Sequence, residues 1–235
     1  MNRRIKKKKL KQARSGYTTK SERMKNKALC KRYPFLIPRN VWTGKISWHN
    51  KPYDHTLARW FPEGWWKAFG LQLCEEIRED CLKHDYLHRL RIEDIKEKYA
   101  GLRIYTGPVP RESEIDNIIS DYSALSESIC MHCGKPDVYM LNWCGWLTTI
   151  CEDCFYRINK RNLRKGWIAE LPNYADFIGE GDTGRMPDQR SYTRYSQGQS
   201  EKHVVDLREK AEKIRARWRA THHDGYVPQM PMLWP

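Results

Sequence analysis

Four cysteines carry the clearest chemistry in this chain. They stand as Cys130-Met131-His132-Cys133-Gly134-Lys135 and Cys151-Glu152-Asp153-Cys154. Seventeen residues separate the pairs, within the spacing of a four-cysteine zinc site. Each Cys-x-x-Cys turn can aim two sulfurs inward, and the intervening chain is long enough to bring the turns together. Gly134 stands where a knuckle needs positive φ and a close backbone approach to sulfur. Four protein ligands leave no open coordination position, so the expected cofactor is a structural Zn2+ and not a reaction centre.

Two other uses of cysteine compete. A disulfide pair would suit a secreted protein, but the chain opens Met-Asn-Arg-Arg-Ile-Lys-Lys-Lys-Lys without an apolar signal region, so no signal peptide is visible. Redox Cys-x-x-Cys motifs usually come singly, whereas these are paired. Cys30, Cys74, Cys81 and Cys144 lie outside the pattern, with Cys144 and His132 as substitute ligands.

The cysteines need a body to hold them, and 235 residues with ten Trp and thirteen Tyr supply enough apolar area for one. No apolar run approaches the roughly 18 residues of a membrane span, so no membrane partner is expected. Charge is unevenly placed. Residues 1–32 hold fourteen Lys or Arg and one acid, Glu22, and so account for +13 of the formal +14. Arg3, Arg4, Lys6, Lys7, Lys8, Lys9, Lys11 and Arg14 dominate this arm. Such arms are usually disordered alone, because like charges repel and little apolar surface offsets the ordering entropy. They bind phosphate backbones by counterion release; the plain alternative is a solubility tail. A second basic run, Arg157, Lys160, Arg161, Arg164 and Lys165, has no acid between Phe155 and Ala169. It either neutralises the thiolate cluster or faces phosphates beside Tyr156 and Trp167.

Periodicity supplies the elements. Residues 33–44 read as extended chain between prolines. A helix is predicted from Trp65 to His88, with Trp66, Phe69, Leu73 and Ile77 inward. A short helix is predicted over Ile92–Ala100 with Gly101 closing it, then a strand at 102–105. A third helix is expected over Ser113–Ser128, opened by a Ser113/Asp116 capping box. It runs straight into Cys130, which docks the zinc module on the body. Val138–Leu141 and Gly145–Ile150 read as a ribbon hairpin. Residues 179–200 read as a linker, whose Gly179-x-Gly181-x-x-Gly184 lacks the strand and helix of a dinucleotide site. Val204, Leu207, Ala211, Ile214 and Trp218 mark a final helix over 200–220 that either docks on the body or dimerises, followed by an apolar tail ending at Trp234-Pro235.

An enzymatic reading rests on His84 and His88, spaced to chelate a metal on one helix face. No Glu lies between them as in a metalloprotease, and no nucleophile elbow, phosphate loop or spaced acid cluster accompanies them. A non-enzymatic protein is expected.

The segment Ile95-Lys96-Glu97-Lys98-Tyr99-Ala100-Gly101-Leu102-Arg103-Ile104-Tyr105, with Gly64-Trp65, Cys130 through Gly134 and Gly145-Trp146 through Cys151, resembles a family of largely uncharacterised proteins encoded by bacteriophages and prophages. The resemblance covers roughly residues 30–160. This chain departs from the family pattern at Ala100, where the family has Gly, and at Cys154, where many members carry His. The resemblance implies a phage accessory protein acting in the bacterial cytoplasm, without assigning an activity. Inhibition of a host defence or transcription complex follows by analogy alone.

The expected fold class is α+β: a basic arm (1–32), an α+β body (33–129), a zinc ribbon (130–155), a basic segment and linker (156–199), and a C-terminal helix with tail (200–235). The expected function is binding of nucleic acid or a nucleoprotein complex. The alternative is a protein that binds and regulates a host protein complex.

Overall fold

Glu22, the one acid of the basic N-terminal run, is a capping residue. In a computed structural model of the chain, which describes residues 18–143, 145–166, 172, 184–185 and 201–222, its carboxylate accepts the Thr19 N–H at 2.7 Å. The Thr19 hydroxyl in turn accepts the Glu22 N–H at 3.1 Å. This reciprocal box starts helix α1, Lys20–Arg32. Part of the arm expected to be disordered is therefore helical. Its charge is offset by anchors: Cys30 is buried, Asn26 donates to the Tyr53 carbonyl at 2.9 Å, and Arg32 pairs with Glu75 at 2.8 Å. The chain then turns through a 3-10 helix, Pro34–Leu36, instead of running extended, because Pro34 at its first position already has a helical φ.

The long helix forms as α2, Glu63–Trp65, a π-helical turn at Trp66–Gly70, and α3, Leu71–Lys83. Its inward residues are Trp65, Phe69, Leu73 and Ile77, all at most 1% exposed. They are spaced four apart, so an ordinary helix of 3.6 residues per turn would rotate them off one face, and the wider turn keeps them aligned. Trp65 thereby takes the core position expected for Trp66. The helix stops at Lys83, short of His88, with Asp85 at φ 49.

Ile92–Ala100 is not a helix. Strands β1, Ile92–Lys98, and β2, Gly101–Thr106, form an antiparallel hairpin. The register shifts between Ile92 and Asp94, and this bulge puts Ile92 and Ile95, three apart, on the same buried face. A bulge thus imitates helical spacing. Tyr99 and Ala100 form the turn with φ of 54 and 64, the left-handed pair of a two-residue hairpin loop. Gly101 is the first residue of β2, not a helix end.

Helix α4, Ile115–Ser126, packs across α3 and the hairpin through Ile115, Tyr122 and Leu125. The expected Ser113 cap does not form. The Glu114 N–H instead donates to Asp80 of α3 at 3.2 Å, so tertiary structure supplies the cap. Beyond α4 come β3, Met140–Trp143, β4, Trp146–Thr149, and helix α5, Glu152–Arg164. A short β5, Gly184–Arg185, pairs with β3; it falls inside the expected linker, the rest of which lies outside the described residues, as does the apolar tail. Helix α6, Glu201–Thr221, docks on the body: Ala211 and Ile214 are buried in the main core. Lys210 of the same helix bonds to Asp121 at 2.7 Å and Glu76 at 3.0 Å.

Candidate metal centre and basic face

The loop after α4 and the start of α5 carry one cysteine pair each, and the β3–β4 hairpin folds them together. The four ligand atoms of Cys130, Cys133, Cys151 and Cys154 lie within 4.8 Å of one another, and this quartet can hold a metal ion. Tetrahedral thiolate coordination with metal–sulfur bonds of about 2.3 Å has S···S edges of about 3.8 Å. Cys133 and Cys151 stand 3.7 Å apart. All four are free thiols, Cys133 partly exposed and the others buried.

The knuckle forms as the sequence suggests. Gly134 has φ +88 and donates its N–H to the Cys130 carbonyl at 2.9 Å. The sulfurs also accept N–H groups, from Lys135 to Cys133 and from Cys151 to Cys130, each at 3.4 Å. Thiol hydrogen bonds from Cys133 and Cys151 hold the Cys130 thiol far below its usual range. The same sharing pushes Cys133 up to about 12 and raises Cys151. A divalent ion at the centre would let all four thiols ionise without mutual repulsion.

The body grips this knuckle at Gly64 and Trp65. Gly64 donates its N–H to the Met131 carbonyl at 2.8 Å, and the Trp65 indole donates to the Ile129 carbonyl at 2.8 Å. A Cβ on Gly64 would sit 2.2 Å from the Cys130 oxygen and 2.6 Å from the Gly134 nitrogen. No side chain fits there. The sequence carries Gly64-Trp65 as a motif without revealing its contact; a glycine inside an aromatic helix start is the available signal.

Compared with protein-family models, curated proteins and solved structures, the chain matches none.

The second basic run is one helical face. Arg157, Lys160, Arg161, Arg164 and Lys165 follow i, i+3, i+4, i+7, i+8 spacing along α5 and its end, and all five are exposed. Arg157 donates to the Cys154 sulfur at 3.0 Å, so it serves the thiolate cluster. Lys160, Arg161 and Arg164 extend the row away from it. Phe155 on the opposite face is buried against Trp143, with ring centroids 4.9 Å apart. Arg3, Arg4, Lys6, Lys7, Lys8, Lys9, Lys11, Arg14, Cys144 and Trp167 lie outside the described residues.

The His84/His88 pair does not form a chelate. Helix α3 ends before either residue, His84 lies 3.7 Å from Asp80, and His88 is exposed in the following turn. Among the described residues the cysteine quartet is the one metal-ligating cluster, and no helix there is long and apolar enough to cross a membrane.

Proposed function

We propose that the chain is a zinc-stabilised, non-enzymatic protein that binds nucleic acid or a nucleoprotein complex. The supporting observation is the cation row on α5, whose first turn is pinned by Cys151 and Cys154. A metal at the quartet would fix that helix rigidly, and its solvent face offers Lys160, Arg161 and Arg164 to phosphates at one-turn spacing. Zinc is the ion that four thiolates in a closed tetrahedron favour. The N-terminal cations would add affinity that depends on salt and not on sequence. The phage setting rests on the motif resemblance.

The test is binding of the full chain to DNA and RNA oligonucleotides between ~50 and ~200 mM salt. With six to ten phosphate contacts, affinity falls by about three to five orders of magnitude over that range. Replacing Lys160, Arg161 and Arg164 together with Ala should reduce the log–log salt slope by about 2–3. An unchanged slope would remove α5 from the interface.

A second reading, as a regulator that docks on a host protein, is favoured by Trp146. It is 79% exposed at the ribbon's tip, where a partner surface could cover it. Recovery of one host protein after nuclease treatment, lost in Trp146→Ala, would support this reading over the first.

A further inference from the structure

Trp42 is 92% exposed, and the turn that carries it is tightly made. The Asn40 side-chain oxygen accepts the N–H groups of Trp42 and Thr43 at 3.0 and 2.9 Å. The Asn40 N–H donates to the Lys45 carbonyl at 2.9 Å, and Gly44 donates to the Asn40 carbonyl at 2.8 Å. The flanks close with an Arg39–Ile46 bridge. A rigid turn that holds a full indole in water is suited to a flat, apolar partner.

Cations gather at the same turn. Arg39 donates from Nη1 to the Gly44 carbonyl at 2.9 Å. The Arg91 guanidinium lies against Gly44, where a Cβ would meet its Nη1 at 2.5 Å. Gly44 has φ +66, a left-handed conformation in which the turn favours glycine. Lys45 is exposed beside them. No carboxylate pairs with Arg39, Lys45 or Arg91 among the described residues, and no acid occurs in the sequence from Arg23 to Tyr53, which contains eight Lys or Arg.

We infer that Trp42 is a stacking platform for an unpaired nucleobase, with Arg39, Lys45 and Arg91 holding the adjoining phosphates. An aromatic face inside a cationic surface is the recurring chemistry of single-strand recognition, because every base presents a π-face whatever its sequence. A duplex keeps its bases stacked inside and offers Trp42 only its backbone. The inference rests on the nucleic-acid reading above and adds a preference for single strands, carried by one residue.

The experiment measures affinity of the full-length protein for a labelled 20-nucleotide single strand and the corresponding duplex, at fixed salt and across a salt series. Trp42→Ala should weaken single-strand binding about ten- to hundredfold, leave the salt slope unchanged and alter duplex binding less than twofold. Trp42→Phe should recover most of the loss. The indole touches little of the fold, so melting temperature and bound metal should match the parent in both variants. Unchanged single-strand affinity in Trp42→Ala, or equal loss for strand and duplex, overturns the platform while leaving the general nucleic-acid reading in place. No binding by the parent even at ~50 mM salt overturns both. Loss of binding to phosphatidylserine vesicles in Trp42→Ala, with oligonucleotide affinity intact, would assign the indole to a lipid surface instead.

Discussion

Arg215 of α6 closes a two-pronged contact on Asp137 of the metal loop, 78 positions earlier in the chain. Nη2 and Nε each reach Oδ1, at 2.8 and 2.9 Å, and Nε also reaches Oδ2 at 3.1 Å. The side chains are 13% and 3% exposed. A planar guanidinium matches a carboxylate in this way where an ammonium would not. One helix thus ties the body, through Lys210, to the cysteine module, through Arg215.

Breaking that fork should be costly. Arg215→Ala takes a forked cation from a nearly fully buried carboxylate and should destabilise by about 3 kcal/mol, the lower end for broken buried pairs. Urea unfolding measures it, and amide exchange should show α6 opening first. Glu212, which also contacts Arg215 but is 59% exposed, is the control: Glu212→Ala should cost well under 1 kcal/mol. Equal effects would mean that the fork carries no special weight.

Metal removal should reach the body. The full-length protein should contain one Zn2+ per chain by native mass spectrometry, and Cys151→Ser should lose it. After chelation, amides within the module, including Met131 and Cys151, should exchange faster. The Gly64 amide, bonded to the Met131 carbonyl, should lose protection with them, since metal binding and folding of such a module are one equilibrium. If the exchange pattern is the same with and without metal, the quartet is not a metal centre.

Ala100 holds a left-handed conformation at φ 64 and is fully buried, with its N–H donating to Glu97 at 2.7 Å. An L-residue pays about 1 kcal/mol or more there, and glycine does not. Ala100→Gly should therefore stabilise by about 1 kcal/mol, a rise of some 2–4 °C in melting temperature. A lower melting temperature would show that the Ala100 methyl contributes more by packing than it costs in backbone strain.

Asp54 supplies an acid-sensitive contact. Burial alone would raise its carboxyl, but the N–H groups of Asn50 and Lys51 and the adjacent His55 outweigh that and hold it at about 2. His55 Nδ1 lies 2.6 Å from it, and the Asn50 N–H 2.7 Å. An unfolded Asp titrates near 3.9. The folded value is depressed, so the stability is present above pH ~4 and lost as pH falls toward 2. The difference in unfolding free energy between the parent and Asp54→Asn should therefore shrink over that window. A gap that widens on acidification would reverse the assignment.

Local pattern and tertiary context divide these elements in an intelligible way. The Cys-x-x-Cys pairs, the positive φ of Gly134 and the ribbon hairpin were legible because each depends on spacing within a few residues. The apolar seam of α6 was legible too, though not what it packs on. Ile92–Ala100 was misread as a helix because the bulge gave Ile92 and Ile95 a three-residue interval, and a period is blind to an inserted residue. The end of α3 before His84 was missed because no Gly or Pro marks it and the turn rests on Asp85 at φ 49.

The sequence by itself determined which atoms can bind a metal, where charge collects and which faces are apolar, since these follow from residue type and short-range period. Only the tertiary structure decided the partners: Gly64 beneath the Cys130 carbonyl, Asp80 at the start of α4, Arg157 on the Cys154 sulfur, Arg215 on Asp137. Each joins atoms whose meeting depends on how elements pack. Packing is set by the mutual fit of whole surfaces, which no local stretch of residues encodes alone.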